Sequence, residues 1–316
     1  MTAARAPARE VWIALGIVYI AWGSTYVGIR YMVETVPPLI GAGLRYFSAG
    51  LVMYAFIAAR RRTLPRIPAR ELASITLVGI LLLVGGNGFV SVAERHVPAG
   101  LAALLVASVP LWLLILRYLS GERPGRTTLA GLAVGFVGVA LLVARGGRGQ
   151  GVSNPDLLVV ICAALSWALG SFASSRLPMP RDAALGTALE MLIGGVVLAG
   201  LGPLLGEHWS AVGHASARSL VAIAYLALFG SILAFTAYVW LLQHAPISQV
   251  STYAYVNPAV AVVLGAVLLS ERITVVTVIG GLVILAAVAI VIRAESRPER
   301  AATPARAPCE CAAIES

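Results

Sequence analysis

Ten long apolar segments fill this chain of 316 residues, and the second five repeat the pattern of the first five. At an offset of 145 residues, Trp22 matches Trp167, Leu44 matches Leu189 and Gly50 matches Gly195. At an offset of 148, the matches are His96 with His244, Pro98 with Pro246 and Pro110 with Pro258. At an offset of 149, Glu122-Arg123 matches Glu271-Arg272. Because five is odd, two such copies lie upside down relative to each other in a bilayer, which builds a pathway between them. The repeat therefore predicts an all-α polytopic membrane protein with ten transmembrane helices in two inverted five-helix repeats.

The composition indicates the same class. Hydrophobic residues make up 59% of the chain and charged residues 12%, so a soluble domain of this length would lack polar surface. Runs long enough to cross a hydrocarbon core of roughly 30 Å lie near residues 11–32, 39–59, 72–93, 98–118, 125–144, 156–175, 184–205, 219–243, 247–269 and 274–293. The predicted organisation is an N-tail (1–10), a first repeat (11–144), a connecting loop (145–155), a second repeat (156–293) and a disordered tail (294–316).

The arginine distribution predicts the orientation. All 23 basic long side chains are arginine, and with the N-terminus inside, 16 of them fall on the cytoplasmic side, 6 on the outer side and Arg45 within a span. Positive charge favours the cytoplasmic side, so both tails are predicted to be cytoplasmic. The same bias accounts for the net charge of +9, so we expect lipid rather than nucleic acid as the partner.

Reactive chemistry inside the spans is sparse. All four histidines fall in loops or at span ends, and the obvious ionisable residues within the spans are Arg45 and Glu190. No serine–histidine pair at matching depth, Asp-rich motif or His-Glu-x-x-His motif is present, so the sequence predicts no enzyme, no catalytic residue and no cofactor. Cys309 and Cys311 form a lone C-x-C pair, which is a poor metal site, and no metal is expected.

Uncharged polar and aromatic residues interrupt several spans at depth. We predict that the following residues line a substrate-binding site near the bilayer centre: Trp22, Tyr26, Asn87, Ser108, Trp167, Tyr253 and Asn257. For Trp22 and Trp167, a lipid-facing position is an equal alternative. Pro110 and Pro258 fall near mid-helix at repeat-related positions, where a proline removes a backbone donor and allows a bend, so both are predicted hinges.

Four charged residues occupy symmetric positions. Arg45 lies about two turns below the outer surface and Glu190 about two turns from the inner surface, so the two are not expected to pair. For each, a structural bond and contact with substrate are equal alternatives. Glu122 and Glu271 precede the fifth and tenth helices, where carboxylates suit the positive helix start, and we predict that they cap those helices.

Several of these motifs resemble the EamA family of the drug/metabolite transporter superfamily. They are Trp22-Gly23-Ser24-Thr25-Tyr26, Pro37-Pro38, Leu44-Arg45-Tyr46 with Ala49-Gly50, Pro110, Asn257-Pro258 and the paired Gly-Glu-Arg and Ser-Glu-Arg turns. The resemblance covers roughly residues 10 to 293. It implies two inverted five-helix halves around a central cavity, in a bacterial inner-membrane carrier that exports amino acids or related metabolites. One departure is that Leu189-Glu190 stands where the first repeat has Leu44-Arg45, so the basic position is not repeated.

The predicted function is a secondary transporter that exports small zwitterionic metabolites, amino acids first among them, by alternating access. Aromatic and amide groups bind such molecules without demanding a net charge, whereas a sugar nucleotide would need several buried basic residues. Glu190 is too shallow for a deep coupling carboxylate, so we expect a carrier without one. The alternatives are a channel or an importer of another solute and, more distantly, an intramembrane enzyme. We expect a monomer or weak homodimer.

Overall fold

The computed structural model describes residues 7–61, 66–146 and 151–295, and all regular structure in these ranges is helical. The ten main helices are α1 (Ala8–Met32), α2 (Pro38–Arg60), α3 (Ala69–Ala93), α4 (Ala99–Leu119), α5 (Arg126–Arg145), α6 (Asn154–Ser174), α7 (Ala183–Leu204), α8 (Ala217–His244), α9 (Tyr253–Leu268) and α10 (Val275–Glu295). This confirms the predicted all-α membrane fold. Most of the predicted tails, with Cys309 and Cys311, lies outside the described residues.

Nine of these helices are long and apolar enough to cross a membrane, counting only the residues that the structure describes. The tenth, α9, has 16 residues, because the predicted ninth span is interrupted at Ser251-Thr252. A separate short helix, Ile247–Val250, precedes the break. The Thr252 hydroxyl donates to the Gln249 carbonyl over 2.5 Å, and such a local side-chain bond competes with continuation of a helix.

Each repeat contains a π-helical segment in its third helix. In α3 it covers Ile80–Gly88 and in α8 it covers Leu226–Leu233, which are equivalent positions of the two repeats. A π-helical turn leaves some carbonyls without their usual partners, and such turns are frequent at functional sites. A glycine cluster, Gly85-Gly86-Asn87-Gly88, lies at the end of the first of these segments.

Pro110 lies near the middle of α4, and the helix is interrupted just before it. The fourth helix consists of two segments, one ending at Val106 and the other starting at Val109, so that Pro110 is the second residue of the later segment. A proline in a first helical turn removes no hydrogen bond, because amides there have no partner within the helix. Pro258 does lie inside a helix, as the sixth residue of α9.

Helix packing follows the symmetry of the repeat. The extensive contacts include α2 with α7, α5 with α10 and α4 with α9, each pairing a helix with its counterpart in the other repeat. Gly50 and Gly195, which the repeat aligns, permit the first of these contacts. A Cβ atom added at Gly50 would lie 2.8 Å from the Ala188 carbonyl oxygen, and one added at Gly195 would lie 2.8 Å from the Cα of Phe47. The two backbones therefore touch at both symmetry-related places.

The connections alternate between two faces of the bundle. We call the face where α1 begins and α10 ends the termini face, and the opposite one the far face. The far face carries the connections 33–37, 94–98, 205–216 and 269–274, and the termini face carries 120–125 and 175–182 among others. Because each repeat has five helices, equivalent connections of the two repeats lie on opposite faces.

Candidate substrate-binding site

A cavity of about 500 Å³ lies between the two repeats. Eight helices line it, and α5 and α10 contribute no lining residue among those described. Six of the seven predicted substrate-binding residues are among its lining residues: Trp22, Tyr26, Asn87, Trp167, Tyr253 and Asn257. These residues come from four helices of both repeats, so the inverted arrangement brings together positions that are up to 235 residues apart (Trp22 and Asn257).

Ser108, the seventh predicted residue, does not line the cavity. It is fully buried at the break in α4, and its hydroxyl donates to the Leu105 carbonyl over 2.6 Å. That bond satisfies the hydroxyl within its own helix. Ser108 therefore belongs to the break that bends α4 rather than to the cavity wall, whereas Pro110 and Pro258 do line the cavity.

Three aromatic rings form a triangle on one wall of the cavity. Trp22 lies 5.1 Å from Tyr238 and 5.2 Å from Tyr253, and the two tyrosine rings are 5.6 Å apart, between ring centroids. These are ordinary distances for tilted and edge-to-face aromatic pairs. The indole Nε1 of Trp22 donates to the Gly230 carbonyl over 3.1 Å, inside the π-helical segment of α8. The triangle therefore joins α1, α8 and α9.

Two lining asparagines bring amide groups to the cavity. The side-chain oxygen of Asn257 is buried and accepts no hydrogen bond, although a buried acceptor of this kind normally has a partner. The Asn87 amide makes a long hydrogen bond of 3.4 Å to the Leu82 carbonyl, five residues earlier in the π-helical segment. Asn257 thus has an unpaired acceptor that is buried beside the cavity, and Asn87 has a weakly engaged amide.

Arg45 and Glu190 place opposite charges in the cavity wall. Arg45 is buried, donates through Nε to the Ser231 hydroxyl over 3.1 Å, and holds its guanidinium 4.6 Å from the Tyr46 ring centroid. Each charge lies seven residues after the start of its helix, and α2 and α7 start at opposite faces. At about 1.5 Å per residue along helices of this length, the two side chains are roughly 11 Å apart along the axis. They do not pair, as the sequence predicted.

The cavity opens at the termini face. Its lining includes Met179 and Pro180 from the connection between α6 and α7, together with Ser174 and Ala183 at the adjoining helix ends. None of the described far-face connections contributes a lining residue. The Tyr31 hydroxyl donates to the Leu268 carbonyl over 3.0 Å at the far face, and joins the ends of α1 and α9 there. The cavity is therefore open at the termini face and shut at the far face.

The prediction that Glu122 and Glu271 cap the helices that follow them is wrong. Glu271 instead accepts hydrogen bonds from the backbone amides of Ala99 and Gly100, at 2.6 and 3.0 Å, and so caps α4 of the other repeat. This bond helps to shut the far face. Glu122 binds Arg117 at 2.6 Å and Arg176 at 3.0 Å. The hydrogen bond from Arg117 is the main reason that the pKa of Glu122 lies below its ordinary value.

Sequence reasoning missed Tyr238, Ser231 and Thr25, which all line the cavity. Ser231 and Tyr238 are isolated polar residues in the long apolar stretch of α8, and an isolated serine or tyrosine gives no pattern. The repeat offers one usable signal for Ser231. Its segment of α8, Leu226–Leu233, is equivalent to the segment of α3 that contains the glycine cluster.

Comparison with known proteins places the chain in a family. The model of the EamA-like transporter family matches residues 10–144 and 155–293. The chain belongs to the EamA-like transporter family. It is 42% identical over 263 residues to the uncharacterized inner membrane transporter YedA of Escherichia coli K12, and the alignment covers 83% of each chain. This membership confirms the resemblance seen in the motifs and shows that the protein is a membrane transporter.

More distant members of this family match over most of their length. The probable amino-acid metabolite efflux pump of Salmonella typhimurium is 26% identical, with coverage of 88% of this chain and 93% of that protein. The uncharacterized transporter YvbV of Bacillus subtilis is also 26% identical, with 94% and 95% covered. One solved crystal structure superposes with a TM-score of 0.61 at 20% identity, covering 90% of this chain and 98% of that one. That likeness concerns the fold.

Proposed function

We propose that this transporter exports amino acids or related zwitterionic metabolites by alternating access. The observation that carries the proposal is the cavity between the repeats, open at the termini face and shut at the far face. Its volume of about 500 Å³ suits a small metabolite. An inverted repeat also supplies a second conformation, in which each half adopts the arrangement of the other and the far face opens.

The charge of the cavity wall supports a zwitterionic substrate. Arg45 and Glu190 are the basic and acidic lining residues among those described, so the wall carries one basic and one acidic side chain. The described hydrogen bond of Arg45 uses Nε, which leaves the terminal nitrogens to bind a carboxylate in the fork geometry that suits such a group. A molecule with several negative charges would meet only one arginine here.

The aromatic triangle and Asn257 add the remaining recognition groups. Tyrosine and tryptophan faces bind an ammonium group or an apolar side chain, and the free oxygen of Asn257 accepts a hydrogen bond from an ammonium or amide group. The efflux pump of Salmonella typhimurium, named for amino-acid metabolites, supports the same substrate class.

We further propose that the protein lies in a bacterial inner membrane with both termini in the cytoplasm. The arginine bias supports this orientation, and the relative YedA is named an inner membrane transporter. The cavity then opens to the cytoplasm, the side on which an exporter loads its substrate. Both repeats of one chain complete the cavity, so a monomer or a weak homodimer is sufficient.

Counterflow in proteoliposomes tests the function. Vesicles are loaded with one unlabelled amino acid at a time, and uptake of the same labelled amino acid is followed. A carrier gives saturable uptake that the internal amino acid accelerates, whereas a channel gives flux that rises linearly with concentration. Absence of accelerated exchange across the amino acids and their common derivatives would contradict the proposal.

Matched variants connect the transport to the cavity. Trp167→Ala and Asn257→Ala remove lining groups and should lower counterflow at least tenfold, with normal amounts of folded protein. Trp12→Ala is the control, because Trp12 is 59% exposed on the outer surface of α1 and should leave the rate unchanged. Equal rates in Trp12→Ala and Trp167→Ala would place the substrate elsewhere.

A further inference from the structure

Glu94 is a carboxylic acid that the protein buries completely at the far face. It follows the last residue of α3, has no exposed surface, and neither of its carboxylate oxygens accepts a hydrogen bond. An ionised carboxylate without partners is very unfavourable in such a place. Burial accordingly raises the pKa of Glu94 well above its ordinary value, and repulsion from Glu271 raises it further, against the opposing effect of Arg30 and Arg45. Burial therefore favours the neutral form of the carboxyl group in this conformation.

The nearby cations are bound to other groups. Arg30 donates to the backbone carbonyl of Glu94 and, over 2.7 Å, to that of Arg95, so it holds the end of α3 rather than the carboxylate. Arg45 is bound to Ser231. Neither arginine therefore compensates a negative charge on Glu94 by direct contact, and a proton does so instead.

Several charged and titratable groups act electrostatically on Glu94. They are Glu271 before α10, Arg30 of α1 and Arg45 of α2. His96, in the same connection, binds Asp156 at the start of α6 at 3.2 Å. Tyr26 of α1 interacts electrostatically with Glu94 and, like Arg45, lines the cavity. The carboxyl group is therefore linked electrostatically to the cavity wall.

The contacts that shut the far face surround the same carboxyl group. The bonds of Arg30 to the end of α3, of Tyr31 to Leu268 and of Glu271 to the start of α4 all lie at this face. Opening the far face breaks such contacts and admits water. A solvated carboxyl group ionises at a far lower pH than a buried one, so opening and proton release favour each other.

We propose that Glu94 is a proton-binding site linked to access: it holds a proton while the far face is shut and releases it to that side when the face opens. The inference rests on the proposed alternating access. The equivalent position of the second repeat is Leu242, which is 45% exposed, so this carboxyl group has no counterpart at that position.

The test measures the conformational equilibrium without any substrate. Spin labels are placed at Glu34→Cys and Ile273→Cys, two exposed positions on opposite sides of the far-face closure, in a chain whose native cysteines are replaced. Distances are measured by double electron–electron resonance between pH 5 and pH 8.5. One proton changes the ratio of open to shut molecules by at most about tenfold per pH unit. We expect the long-distance population to grow with pH in the otherwise native chain.

Three variants isolate Glu94. Glu94→Gln mimics the protonated group and should keep the short distance at every pH, while Glu94→Asp should restore a pH response. His96→Gln is the control, since His96 is an exposed titratable group on the same face and should leave the response intact. A response that persists in Glu94→Gln, or one that is absent from the native sequence, would overturn the inference. Counterflow is measured separately, so that failure of the transport proposal is distinguishable.

Discussion

Replacing Gly195 by alanine tests the contact between the two repeats most sharply. The added Cβ would lie 2.8 Å from the Cα of Phe47 and 2.9 Å from its Cβ, whereas carbon atoms pack at about 3.5–4.0 Å. The obstacle is largely backbone, so α2 and α7 must move apart by about 1 Å along a long interface. Overpacking of this kind costs about 1–3 kcal/mol, and the better helix preference of alanine returns up to about 1 kcal/mol. Because backbone cannot move aside as a side chain can, we take the upper end of this cost and expect a net loss of about 2 kcal/mol.

Gly200 supplies the matched control in the same helix. Nothing lies within 4 Å of a Cβ atom added there, so Gly200→Ala keeps the gain in helix preference of about 1 kcal/mol or less without the clash. The two variants should therefore differ by about 3 kcal/mol in the free energy of unfolding. Reversible unfolding by dodecyl sulfate in mixed micelles, followed by tryptophan fluorescence, measures the difference. Equal stabilities would refute the close approach of α2 and α7.

Three further predictions concern hinges, topology and pH. Pro258→Ala should restore a hydrogen-bond donor inside α9 and shift the accessibility of cysteines in the cavity toward one side of the membrane. Pro110→Ala replaces a proline in a first helical turn and should shift this accessibility little. An equal shift in both variants would show that the two prolines are equivalent hinges. An impermeant thiol reagent should label Asn154→Cys but not Arg66→Cys in whole cells, and the reverse pattern would invert the topology. The folded chain holds the Glu94 proton more tightly than the unfolded chain does. The native protein should therefore lose thermal stability relative to Glu94→Gln as the pH rises above 4.5. A difference in stability between the two proteins that is independent of pH would count against the buried acid.

The fold was predictable because hydrophobic length and repeat order are local properties of a sequence. A run of twenty apolar residues must become a helix in lipid, and paired residues such as Trp22 and Trp167 reveal the duplication without any knowledge of packing. The order of the repeated segments also predicts which residues share a cavity, since an inverted repeat brings equivalent helices to one interface. Six of the seven predicted lining residues followed from that reasoning.

The exceptions depend on which partner a polar group finds in three dimensions. Ser108 satisfies its hydroxyl within its own helix, and Glu271 caps α4 of the other repeat rather than the helix after it. Glu94 comes directly after the apolar run of α3, a position that indicates a solvated loop, although packing buries it completely. Spacing along the chain carries no record of such tertiary contacts.

Alternating access of one shared cavity is the central claim, and a single cysteine at Ser171 tests it directly. Ser171 lies in the cavity wall, and its labelling is measured from each side of oriented vesicles. A bifunctional thiol cross-linker then joins cysteines at Tyr31 and Leu268, whose contact shuts the far face. We predict that the cross-link abolishes labelling from the far side and preserves labelling from the termini side. Unchanged labelling from the far side would contradict a single cavity with alternating access.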